Sequence, residues 1–462
     1  MTHARRLLPR TAFAPAAVFA AAALFGGLAA VAADDKPAEM LKPAPAAKPA
    51  AAATPVPPSP VAWTKYKLSD QFFSEGAAVG DFNHDGKMDV VAGPYWYAGG
   101  DFAHAAKHQY YAYPDKAGTP QPAKAFDPAG YSDNFFAFVY DFNGDGWDDI
   151  LIYGFPGKDA SWFENPKVAD SKDPAADKPW ARHQVLAMVD NESPQFTDVD
   201  GDGKPDMVCG TGGTDKEGGT LGYATADWAN PAKPWTFHAV TPKGKGYQRF
   251  THGLGVGDVN GDGKMDLLEK DGWWEQPKEK AGDGPWKRHD VKFGPGGAQM
   301  HVYDVNGDGR PDVITSLAAH AFGLAWFEQK ADGSFEQHTV MGSKAEENPQ
   351  GLRFSQLHAI DLVDIDGDGI KDVVTGKRYW AHGAKGDAEP AAPAVLYWFK
   401  LTRAGGVPTF TGYEIDNDSG IGTQVMAVDV NGDKRPDVVV GNKKGTFVHI
   451  QRPAAETTGA RN

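Results

Sequence analysis

Residues 304–312 read DVNGDGRPD, and six close variants recur: DFNHDGKMD from Asp81, DFNGDGWDD from Asp141, DVDGDGKPD from Asp198, DVNGDGKMD from Asp258, DIDGDGIKD from Asp364 and DVNGDKRPD from Asp429. Positions 1, 3, 5 and 9 carry side-chain oxygen in every copy. They are Asp81, Asn83, Asp85 and Asp89; Asp141, Asn143, Asp145 and Asp149; Asp198, Asp200, Asp202 and Asp206; Asp258, Asn260, Asp262 and Asp266. The later copies supply Asp304, Asn306, Asp308 and Asp312; Asp364, Asp366, Asp368 and Asp372; Asp429, Asn431, Asp433 and Asp437. Hard oxygens at this spacing, with Gly at position 6 for a tight turn and a backbone carbonyl at position 7, suit Ca²⁺. Without a cation, carboxylates this close repel one another. Each copy is therefore expected to bind calcium, up to seven ions in all. An EF-hand would need Glu at position 12 and a helix after it. Those positions hold Ala92, Ile152, Cys209, Glu269, Thr315, Thr375 and Val440, so only one is Glu.

A second set of reactive residues flanks the nonapeptides. Six positions before the first Asp stand Glu75, Glu192, His252 and His358, and three before stand Gln195, His301 and Asp361. Downstream come Lys270, His320, Lys377, Arg378, Tyr379, His382 and Lys443, and the last copy is preceded by DNDSGIGTQ with Asp416, Asp418 and Gln424. Three imidazoles favour Zn²⁺ or another transition metal over calcium. His252, His301 and His358 are thus expected to meet at one ion or to act as acid and base, with Glu75 or Glu192 as a further ligand or base. His320, Lys377, Arg378, Tyr379, His382 and Gln424 are the expected ligand-binding groups, an anion or sugar-hydroxyl clamp. By contrast, His183, His238, His289 and His338 recur at one place in the repeat, which assigns them a structural role. No motif for Ser or Cys nucleophilic catalysis, phosphate cradling or nucleotide binding is present.

The elements that must position these groups are strands. Each nonapeptide is followed by a short, mostly β-branched run (DVVAG, DILIYG, DVITS, DVVVG) and preceded by apolar residues at period two. An aromatic run follows (SWFENP at 161, GWWEQP at 272, LAWFEQ at 324, LYWFKL at 396), then a fourth (PWARHQV at 179, PWKRHDV at 285, SFEQHTV at 334). Four short strands per unit, repeated seven times, predict an all-β, seven-bladed β-propeller. The last unit stops after GTFVHIQ, and AWTKYKL at 62–68 is another copy of the fourth strand. That N-terminal strand is expected to close the ring, making residues 61–453 one domain where length alone suggests about three. If the nonapeptide loops share one face, the flanking reactive residues lie on the opposite face around a central funnel.

Residues 1–33 read as a secretory signal peptide: Arg5, Arg6 and Arg10, an apolar run, then Ala30-Val31-Ala32. Residues 34–60 form an Ala/Pro-rich linker unable to bury a core, and 454–462 a short tail. The expected location is secreted, periplasmic or cell-envelope, with no transmembrane span after cleavage. Losing the three arginines takes the formal charge from −15 to −18, which excludes nucleic acid as partner. Cys209 is the single cysteine, so no intrachain disulfide is available.

The nonapeptides and their strands resemble the FG-GAP/VCBS repeat family, whose seven-bladed propellers occur in integrin α-chains and many bacterial secreted proteins. The resemblance implies calcium-stabilised blades. Two departures stand out: Lys434 replaces the loop Gly in the last copy, and residues 101–134 lead irregularly into the second blade. HGLGVGDVNGDG (252–263) and GWWEQP (272–277) are similar to the propeller portion of fungal aldos-2-ulose dehydratase, a metal-dependent sugar dehydratase. That resemblance implies a funnel that binds and modifies carbohydrate as a metal-dependent lyase or dehydratase. The alternative is a non-catalytic carbohydrate- or protein-binding adhesion propeller at the cell surface.

Overall fold

The computed structural model describes residues 56–454, apart from 113–120, 171, 173, 215, 279–281 and 283. The expected leader, most of the linker and most of the tail lie outside the described residues. Among the described residues the strands form seven separate four-stranded antiparallel sheets, which are the seven blades expected.

The fifth blade shows why the repeat folds this way. Its second strand, Asp312–Ser316 (DVITS), is buried along its whole length. It pairs with His301–Tyr303 on the inner side and Leu324–Gln329 on the outer, and Phe335–Met341 lies outermost. A strand covered on both faces by neighbouring blades reads as a continuous apolar run, whereas the half-exposed fourth strand reads FEQHTVM. Aromatic side chains of one blade pack against the next, as where Phe142 of the second blade meets Trp235 of the third at 5.8 Å.

Loops and strands are tied by carboxylates. Asp304 accepts from Gly307 N at 2.7 Å and Gly309 N at 2.9 Å, closing the nonapeptide turn. The ninth-position Asp312 accepts from Val305 N at 2.9 Å and from Gln329 N, in the third strand, at 2.8 Å. Asp89, Asp149, Asp266, Asp372 and Asp437 repeat this double bond to position two of the loop and to the third strand or the residues just past it. Position nine, expected only as an ion ligand, thus also binds three segments of its own blade. Burial pushes the carboxyls of Asp266 and Asp372 up to about 7, against the lowering effect of those N–H bonds. Lys434 holds the glycine conformation at φ 68°, and its N–H donates to Asp429 at 2.7 Å, so the last loop keeps the common geometry.

The recurring Asn or Gln of ENP, EQP and FEQ straps one blade to the previous one. Asn165 donates to Phe82 O at 2.9 Å, Gln276 to Val199 O at 2.7 Å and Gln329 to Val259 O at 2.8 Å. The outer-strand imidazoles are structural, as expected. His183, His289 and His338 lie over Trp162, Trp273 and Trp326 with centroids 4.3, 3.9 and 4.4 Å apart. Each also meets a glutamate, Glu164, Glu275 or Glu328, at 2.7–2.8 Å.

Ring closure follows the expected scheme. Val61–Ser69 is the outermost strand of the seventh blade, antiparallel to Gly445–Pro453, with Trp63 opposite Gln451 and Lys65 opposite His449. No helix among the described residues is long and apolar enough to cross a membrane.

Candidate metal centre in the central funnel

His252 stands just before the inner strand Leu254–Gly257, His358 just before Ile360–Val363, and His320 just after Asp312–Ser316. Consecutive blades therefore deliver three imidazoles to one end of the funnel. One nitrogen of each lies within 4.8 Å of the others. His252 Nε2 and His358 Nε2 are 3.1 Å apart, and the His320 ring centroid is 4.9 and 5.1 Å from those of His252 and His358. Exposure rises from the floor outward, with side chains 0% exposed at His358, 14% at His252 and 29% at His320. Burial, then the adjacent Arg378 cation, pushes His358 down to about 3; burial, then the other imidazoles, pushes His320 down to about 2. Both rings are neutral at physiological pH and carry lone pairs, the form a metal needs.

Beneath them lies a buried ion cluster. Arg378 donates to Glu75 at 3.0 Å, to Glu192 at 3.3 Å and to His358 Nε2 at 2.8 Å. A guanidinium only donates, so His358 Nε2 presents its lone pair, with Glu192 Oε2 only 3.2 Å away. Two imidazole nitrogens and a carboxylate oxygen converge here, with His252 Nε2 3.1 Å from His358 Nε2 and 3.6 Å from Glu192 Oε2. Such a donor set fits a borderline divalent ion. Binding there would take the His358 lone pair and leave Arg378 on its two glutamates. Glu75 and Glu192, expected as ligand or base, both pair with Arg378, and Glu192 Oε2 also borders His252 and His358.

The loop after Asp372–Gly376 supplies a fourth imidazole. His382 Nδ1 meets Asp387 Oδ1 at 2.8 Å, and the same oxygen lies 3.5 Å from His320 Nδ1. Asp387, with a 3% exposed side chain, thus holds His382 and stands beside His320; sequence reasoning missed it because it lies in a loop without repeat register. Two buried lysines hold that loop. Lys443 Nζ donates to Trp380 O at 2.8 Å and Ala381 O at 3.2 Å, and Lys377 Nζ donates to Ser355 Oγ at 2.8 Å and lies 3.4 Å from Ala388 O. Burial pushes both ammonium groups down to about 8.

Several expected site residues are placed differently. His301 does not join the three imidazoles: it lies on the inner strand, and its Nε2 meets Ile360 O at 3.1 Å. His320, expected to bind ligand, instead stands with His252 and His358 where His301 was expected. Gln424 is structural, since its amide accepts from Ala137 N at 3.1 Å and donates to Ala137 O at 2.9 Å. Lys377 and Arg378 face inward and cannot clamp an external anion, whereas Tyr379 is half-exposed, parallel to Trp380 within 9°.

Four-stranded blades, carboxylate loops and a ligand-ready funnel define a repeat-built β-propeller. The family model for the FG-GAP-like repeat matches residues 141–209, 198–269 and 304–375. Among solved structures, the rhamnogalacturonan lyase YesW is similar with a TM-score of 0.39 and 14% identity, over 84% of this chain and 72% of that one. The Bacillus licheniformis rhamnogalacturonan lyase PL11 gives 0.37 at 14% identity, over the same shares. No curated protein matches the chain.

Proposed function

We propose that this is an exported, calcium-stapled propeller whose funnel holds one transition-metal ion and uses it to bind and modify carbohydrate, as a lyase or dehydratase. The convergence of His252, His320 and His358 from consecutive blades carries the reading. Three imidazoles with one open side are the donor set of a catalytic rather than a closed structural site. A metal so held would polarise a sugar carbonyl or carboxyl. Asp387 lies 3.5 Å from His320 Nδ1, close enough to attract positive charge at that ring edge. It also holds His382 by Nδ1, leaving Nε2 on the 48% exposed ring to take the proton from the carbon beside that carbonyl. The resemblance of HGLGVGDVNGDG and GWWEQP to a sugar dehydratase propeller supports the choice of substrate class.

Metal analysis of the purified protein and a screen of oxidised sugars and uronic-acid polysaccharides for ultraviolet-absorbing products test the proposal. One tightly held transition metal per chain and a metal-dependent product are expected. His252→Ala/His320→Ala should lose both while retaining calcium-dependent melting. A wild type holding calcium alone would overturn the catalytic reading in favour of the adhesion propeller.

A further inference from the structure

Around the imidazoles runs an arc of half-exposed aromatic rings, two of which, Tyr131 and Phe155, also pack on one side against the core around Phe135. From His382 the centroids step to Tyr131 at 6.3 Å, from Tyr131 to Phe155 at 5.3 Å and from Phe155 to Phe250 at 5.6 Å. On the loop that carries His382, Tyr379 and Trp380 lie parallel at 5.3 Å. Phe250 is 37% exposed, a large apolar ring at the rim.

The backbone beneath these rings is strained. Phe250 sits at φ 65° and Trp380 at φ 57°, in the left-handed region that large L side chains avoid. Residues held there cluster at ligand clamps and persist only where the surroundings over-determine them. Both are so held. Phe250 N donates to Asp190 O at 2.9 Å, while the neighbouring Arg249 is paired with the Asp190 carboxylate at 3.2 Å. Trp380 O accepts from the buried Lys443 Nζ at 2.8 Å and from Gly383 N at 3.1 Å. Lys443 Nζ also lies 4.6 Å from the Tyr131 centroid, so one cation supports both sides of the arc. The backbone that carries these rings is thus held in place from beneath.

We infer that this arc is a saccharide subsite, in which pyranose rings lay their C–H faces on Phe250, Phe155 and Tyr131 and lead a chain toward the imidazoles. Flat apolar faces stack on aromatic rings, and the hydroxyl edge of a sugar tolerates the wet, polar mouth that a wholly apolar ligand would not. The inference rests on the reading of the funnel as a carbohydrate site and names how a chain is held there.

Cellohexaose, xylohexaose and an oligogalacturonate serve as probes, with binding followed by calorimetry and by the fluorescence of Trp380. The wild type should bind at least one. Phe250→Ala should weaken that binding about tenfold or more without changing the melting temperature or metal content, and Phe155→Ala should weaken it as much with a lower melting temperature. Because Phe250 is a rim residue, it tests the subsite even if Phe155→Ala fails to fold. His320→Ala should lose metal and keep most oligosaccharide binding. Failure of every probe to bind, or unchanged binding by Phe250→Ala, overturns the inference. Ring-dependent binding by a wild type devoid of transition metal would sustain the subsite while defeating the metal chemistry proposed above.

Discussion

At the level of single residues, the funnel separates groups that look alike in sequence. Lys377, Arg378 and Gln424 are as polar as His382, yet they spend their donors on a hydroxyl, carboxylates and the backbone of the second blade. Gln424→Ala should leave the N–H and C=O of Ala137 without their partner in a buried setting, at about 1–3 kcal/mol for each group. The expected outcome is a lower melting temperature with metal content unchanged, read by scanning calorimetry and elemental analysis. Equal loss of metal would show that Gln424 belongs to the site after all. His301 shows why register matters: its position is three residues further along than that of His252 or His358. At about 3.3 Å per residue, that shift moves a side chain roughly 10 Å along the funnel wall. Counting residues back from the loop aspartate found the right wall and the wrong depth.

Among the elements, blade strands and ring closure were legible because they obey local rules: period-two patterning, turn glycines, and a missing fourth strand matched by a spare copy at residues 62–68. What the pattern could not supply was anything in the loops between blades. Asp387 and the ring pair Tyr379 and Trp380 sit in segments whose conformation is set by buried lysines and not by periodicity. The closing strand permits two tests. Removing residues 34–55 should leave a soluble propeller, whereas removal through Leu68 should strip the seventh blade of its edge and cause aggregation, scored by size-exclusion chromatography. The second test is acidification. His449, opposite Lys65 in that pairing, is buried against Ser419, and burial pushes its pKa down to about 4. A depressed folded value means stability is full above the unfolded pKa of about 6.5 and is lost as pH falls toward 4, by up to about 3 kcal/mol. His449→Gln should flatten the pH dependence of the melting temperature across that window; an unchanged slope would assign the acid sensitivity elsewhere.

For the whole molecule, stability is expected to depend on calcium in the blade loops. EGTA should lower the melting temperature by many degrees and added Ca²⁺ should restore it, since an ion bound only by the folded state stabilises by mass action. An unaltered melting curve in metal-free protein would remove calcium from the account. The loops should not be equal. Lys400 already pairs with Asp366 and with Asp368 in the sixth blade, the latter at 2.9 Å, so Lys400→Met should raise calcium affinity there. The seventh loop, whose lysine keeps the glycine conformation, should bind as its neighbours do.

The pairing of Lys65 with His449 also dictates an order of events in assembly. The strand at residues 61–69 is among the first of the propeller to be synthesised, and its partner at 445–453 is the last. Six blades can complete themselves from contiguous sequence as they appear, but the seventh must wait for a contact spanning nearly the full chain. Closing so long a loop carries the largest entropic cost in the fold, so docking of the seventh blade should be the slow final step. Until it happens the early strand is an unpaired edge, and any factor that delays the last blade lengthens the interval in which two molecules can exchange that strand and become a swapped pair.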